Sequence, residues 1–140
     1  MKNSHVLTIK SRQIVDGQSN ESEIVTSCEL KKNSNNLTIT YTENRANGIK
    51  NFKTTMIFEN SGLVTILKED DKISKLTLEK NARHLCNYFT EYGMITLGIS
   101  AKNVAVDLDE SGGSAKLHYT LDVDTKLLSE NVVTITVHSA

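Results

Sequence analysis

The chain contains no proline in 140 residues, although average usage of about 5% would supply roughly seven. Proline is the residue that cannot donate to a β-ladder, and sheets tolerate it only at edges, strand starts and bulges. Its absence is matched by apolar/polar alternation. In Leu37–Glu43, Leu37, Ile39 and Tyr41 fall on one face and three threonines on the other. Period-2 alternation marks a strand with one dry and one wet face. Ser114–Val123 repeats it, with Leu117, Tyr119, Leu121 and Val123 on one face, and Asn131–His138 again with Val133, Ile135 and Val137.

Further strand segments are expected over His5–Val15, Glu23–Lys32, Phe52–Glu59, 63–68, Lys72–Glu79, Arg83–Glu91 and Met94–Asp107. Turn chemistry separates them: Asp16-Gly17, Asn33 to Asn36, Asn47-Gly48, Asn60-Ser61-Gly62, Asp70-Asp71 and Asp109 to Gly113. Thr, Ile, Val, Tyr and Phe make up 43 of the 140 residues, which suits half-buried pleated surfaces. Apolar residues nowhere hold a 3.6 period over three turns, though Thr125–Glu130 has room for one helical turn. The expected fold is all-β: residues 1–140 as a single domain, an antiparallel up-and-down closed barrel of 8–10 strands, calycin- or lipocalin-like. A closed barrel has no edge strand on which a proline would be harmless.

A net charge of −1, with both signs scattered, argues against a protein built to neutralise phosphates, so no nucleic-acid partner is expected. Lys31-Lys32 reads as a solvated turn. No apolar run reaches the roughly 18 residues a membrane-spanning helix needs, and the first residues lack a signal-peptide core. Two cysteines make no disulfide framework. A cytoplasmic protein without membrane contact is expected, in which the sequons at Asn20 and Asn36 have no consequence.

Tyr41-Thr42-Glu43, Thr54-Thr55, Gly62 to Thr65, Arg83-His84, Tyr88 to Thr90, Tyr92-Gly93, Gly98-Ile99 and Asp107 to Gly113 follow one another in an order that resembles the YwiB-like family of small bacterial β-barrel proteins, found largely in Firmicutes. The resemblance runs from about Glu21 to His138. It implies a calycin-type barrel and a cytoplasmic location, and brings no activity with it. Glu91 stands where many relatives carry proline. The chain has no tryptophan, so the Gly-x-Trp feature of true lipocalins is missing.

The densest chemistry lies in Arg83 to Thr90. The apolar Leu85 and Phe89 point the face Arg83/Leu85/Asn87/Phe89 inward, and an inward Arg83 requires a carboxylate, for which Glu43 is the candidate. On this reading Tyr41, Glu43, Thr55, Arg83 and Tyr88 shape the mouth of a barrel that binds a small anionic or amphipathic ligand. The competing reading is a structural or protein-interaction module with a side-chain-filled barrel, which admits a homodimer. His84 and Cys86, with Cys28 or His5, lack the tight ligand spacing of zinc sites, so no metal or cofactor is expected. Asp107 to Gly112 resembles the start of a calcium loop, but His118 stands where the closing glutamate belongs; it reads as a β-turn. Without a nucleophile elbow, phosphate loop or His-Glu-x-x-His helix, the expectation is a protein that is not an enzyme.

Overall fold

The computed structural model describes residues 5–44, 51–69, 73–90 and 93–139. These form ten strands: β1 (His5–Val15), β2 (Gln18–Lys32), β3 (Asn36–Asn44), β4 (Asn51–Glu59), β5 (Val64–Glu69), β6 (Ile73–Leu78), β7 (Arg83–Thr90), β8 (Gly93–Asp109), β9 (Gly112–Val123) and β10 (Lys126–Ser139). No helix occurs among the described residues. All ladders between named strands are antiparallel, in the order β6-β5-β4-β3-β2-β1-β10-β9-β8-β7. The expected up-and-down meander is therefore present, and β1 and β10 pair within it.

The ring is nearly closed rather than closed, which corrects the expectation of a sheet without edges. Strands β6 and β7 lie side by side, yet no ladder joins them among the described residues. Local chain geometry explains the gap. β8 extends well past β7, which pairs only with Gly93–Ser100. Just after β6, Lys80 bridges to Ala101 in parallel, and Asn81 N–H donates to the Ala101 carbonyl at 2.9 Å. The link thus fastens to β8 in place of a β6–β7 ladder. Among the described residues, β2 and β3 pair only over Glu29–Lys32 and Leu37–Thr40.

The core fills the barrel's middle and lower part. Leu7, Ile39, Leu78, Ile99, Leu117 and Ile135 are the largest fully buried side chains, with Cys28, Met56, Phe58 and Val64 packed among them. Burial pushes the Cys28 thiol up to about 11, so it behaves as a small apolar group. The turns use positive φ where two-residue hairpins of right-handed twist require it. Asp16 and Gly17 join β1 to β2 at φ 51° and 78°, and Asp124 and Thr125 join β9 to β10 at 51° and 68°. The segment Thr125–Glu130, with room for one helical turn, instead completes the hairpin turn at Thr125 and begins β10 at Lys126, with a bulge between Leu127 and Ser129.

The face assignment of β7 is also corrected. Cys86 pairs with Leu97 and His84 with Ile99, whereas Leu85 pairs with Gly98 and Arg83 with Ser100. Directly paired residues share a face, and Leu97 and Ile99 are core residues. The apolar stripe of β8 therefore draws His84, Cys86 and Tyr88 inward. Leu85 is left 66% exposed.

Candidate functional site

The five residues read as a mouth site do not assemble. Arg83 lies on the outer surface and pairs with Asp122, not with Glu43. Its Nε donates to Oδ2 at 3.1 Å and its Nη2 to Oδ1 at 2.6 Å. Asp122 is buried despite its outward position, and Thr125 N–H adds a hydrogen bond to Oδ1 at 3.1 Å. The guanidinium hydrogen bonds hold the Asp122 carboxyl below its ordinary range, against a smaller opposing effect of desolvation. The pair crosses over Gly98, whose two ladder partners are Leu85 and Asp122. A methyl group on Gly98 would lie 2.5 Å from Arg83 Nε and 2.6 Å from Asp122 Oδ1, so glycine is what leaves room for this bidentate contact.

Thr55 faces out as well; the inward residue of the pair is Thr54, opposite Tyr41. Tyr41, Thr54 and Glu43 do form a cluster, in which Thr54 Oγ1 donates to Glu43 Oε2 at 3.3 Å. Burial raises the Tyr41 phenol strongly, and the Glu43 charge adds to this. Tyr88 belongs elsewhere, on the inner face near Tyr119, whose phenol is raised first by burial and then by Tyr88.

The metal-like spacing resolves into other contacts. His84 Nε2 lies 2.9 Å from Glu79 Oε1, and Cys86 packs against the core. No cluster of three potential metal ligands occurs among the described residues. Asp109 caps its turn as a β-turn aspartate does, accepting the Ser111 N–H at 2.8 Å. The Ser111 hydroxyl, followed by that amide, holds the Asp109 carboxyl low.

A cavity of about 280 Å³ does open on the inner side of the mouth, between β1, β2, β9 and β10. Ser11, Arg12, Gln13, Asn20, Glu21, Ser22, Tyr119, Asn131 and Val133 line it. Ladder register explains its position. On the inner face of β1, Leu7 pairs with Val137 and Ile9 with Ile135, all buried and apolar. The next inward pairs toward the mouth are Ser11 with Val133 and Gln13 with Asn131, while Ser22 and Asn20 face Ser11 and Gln13 from β2. The dry stripe thus becomes polar within two residues. Asn131 is buried, and its amide nitrogen donates to the equally buried Ser129 hydroxyl at 3.0 Å, which fixes the carboxamide at the cavity wall.

Sequence reasoning passed over these residues because serine, asparagine and glutamine look like turn or surface chemistry. The available signal was the break in His5–Val15, where Leu7 and Ile9 are followed at the same parity by Ser11 and Gln13.

A ten-stranded, nearly closed antiparallel barrel with a packed floor and a polar mouth defines a small β-barrel protein. The chain belongs to the family described as Domain of unknown function (DUF1934), whose model matches residues 7–135. Its fold is similar to the crystal structure of the ywiB protein from Bacillus subtilis, at 22% identity and TM-score 0.85, covering 99% of this chain and 92% of that one. No curated protein matches the sequence. The expected YwiB-like membership therefore stands. No helix among the described residues is long and apolar enough to cross a membrane.

Proposed function

We propose that this protein is a non-enzymatic, calycin-like carrier or sensor of a small molecule in the cytoplasm, with the mouth cavity as its binding site. The observation that carries this reading is the switch of the inner stripe from apolar to polar at Ser11, Gln13, Ser22 and Asn131, above a floor that is otherwise dry. Here the polar groups converge on a concavity of about 280 Å³, the usual form of a small-molecule site. With Arg83 on the outer surface and paired to Asp122, the anionic-ligand reading loses its anchor. The lining amides and hydroxyls, with the Tyr119 ring and phenol and the opposed charges of Arg12 and Glu21, suit a ligand without net charge that is rich in hydrogen-bonding groups.

Native mass spectrometry of untagged protein from its own host tests this. The expected spectrum shows a stoichiometric neutral adduct that is lost in Asn131→Leu protein with an unchanged circular dichroism spectrum. Adduct-free protein, or an adduct retained by the variant, would overturn the assignment.

A further inference from the structure

The hairpin of β8 and β9 runs on toward the floor beyond the start of β7. Residues 103–109 of β8 are paired to β9, whereas the β7 ladder ends at Ser100. The chain that would carry β7 further along this side, residues 79–82, is described throughout. It fastens to Ala101, through the Lys80 bridge and the Asn81 N–H, and no lower. Among the described residues, the free side of β8 below Ala101 therefore meets no strand. Proteins ordinarily blunt such an edge with charge, proline or cover. The middle of this one reads Val104-Ala105-Val106, without a charge. Val106 is 41% exposed although its ladder partner Ala115 is buried, and Val104 and Leu108 on the same face are only partly buried.

Antiparallel pairing with the same edge of a second copy, about a two-fold axis at Val106, uses this segment fully. Val106 then lies opposite Val106, Val104 opposite Leu108, Ala105 opposite Asp107 and Asn103 opposite Asp109. Lys102, whose charge otherwise reaches Glu130 of its own chain, comes opposite Glu110. No like charges face each other, and the inward stripe stays apolar across the junction. Other registers fit worse. A two-fold at Asp107 opposes that residue to itself, and one at Leu108 sets Asp107 against Asp109. A centre between two residues would join the inward face of one copy to the outward face of the other. A centre at Ala105 or nearer β7 drives the second copy into Ala101, where residues 80 and 81 occupy the edge. Length agrees as well: with the axis at Val106, the turn after Asp109 brings each hairpin tip level with the Ala101 fastening and no further.

We propose that the protein forms a symmetric dimer by adding β8 to β8 of a second copy, centred on Val106. Main-chain hydrogen bonds supply the affinity, and the alternate side chains fix the register. The partner is a second copy because register, charge and length all match within this one segment, as an isologous contact requires. The two barrels then share one continuous sheet at their floor ends. This contact lies at the opposite end from the mouth cavity and does not depend on the ligand reading.

Analytical ultracentrifugation of the full chain is expected to give a dimer mass. Val106→Lys and Val106→Asp each set like charges together on the two-fold axis, and each should weaken dimerisation about tenfold or more. Mixed in equal amounts, the two variants should recover the dimer, because lysine then meets aspartate; only a register that opposes Val106 to itself allows this. Leu85→Lys, at an exposed apolar site away from the edge, should dimerise like the parent. A readout without substitution comes from hydrogen exchange: when the concentration of the parent is raised about a hundredfold, amides of residues 103–109 should slow. A monomeric parent, charge variants that dimerise as the parent does, a mixture that stays monomeric, equal loss in Leu85→Lys, or concentration-independent exchange along β8 would each overturn the proposal.

Discussion

At the scale of single residues, Gly98 exerts an influence disproportionate to its size. The Arg83–Asp122 contact passes over it, so Gly98→Ala should push the pair apart and cost about 1–3 kcal/mol, as overpacking does. The pH dependence gives a second measure. Because the folded Asp122 carboxyl is held low, its contribution to stability is complete above the unfolded value of about 3.9. It is lost as pH falls through the lower folded value. Urea midpoints measured from pH 6 down to pH 2 should fall less steeply below pH 4 in Gly98→Ala than in the parent protein. Parallel curves would mean that the pair survives the added methyl.

The strands themselves were readable in the sequence where alternation ran through a strand covered on one face, and misread where the apolar Leu85 stood on an exposed one. Leu37, Ile39, Tyr41, Leu117 and Ile135 are all interior, as their periodicity requires. In β7 the same rule fails, because Leu85 is the plainly apolar residue and the half-buried Cys86 is the one packed against the core. Parity there is set by the partner strand, through the pairs Cys86–Leu97 and His84–Ile99, and a cross-strand register is invisible to a local window. The Arg83–Asp122 pair was hidden for the same reason: the two residues meet across an intervening β8. The contrast is testable by truncation. Leu117→Ala should cost about 2–5 kcal/mol, while Leu85→Ala should stay within about 0.5 kcal/mol of the parent. Comparable losses at both positions would contradict the assigned faces of β7.

Across the whole molecule, stability should be unevenly distributed. The floor carries the fully buried side chains, whereas the mouth end of the β1–β2 hairpin is largely exposed and pairs, among the described residues, through β1 and β2 themselves and through β10. Native-state hydrogen exchange should therefore protect the amides of Leu7, Ile39, Leu117 and Ile135 most strongly and those of Gln18–Glu23 least. Uniform protection over both groups would mean that the hairpin is held by contacts outside the described ladders.

The pairing of β1 with β10 also bears on how the protein is made. A ribosome delivers β1 first, and its Leu7–Ile9 stripe belongs against Val137 and Ile135. Until β10 has been translated, that side of β1 faces water with its donors unmet. The β3–β6 meander, built from neighbours in sequence, can assemble during this interval. Nascent chains are therefore vulnerable longest at β1, where a chaperone that shields Val6 to Ile9 would have most effect.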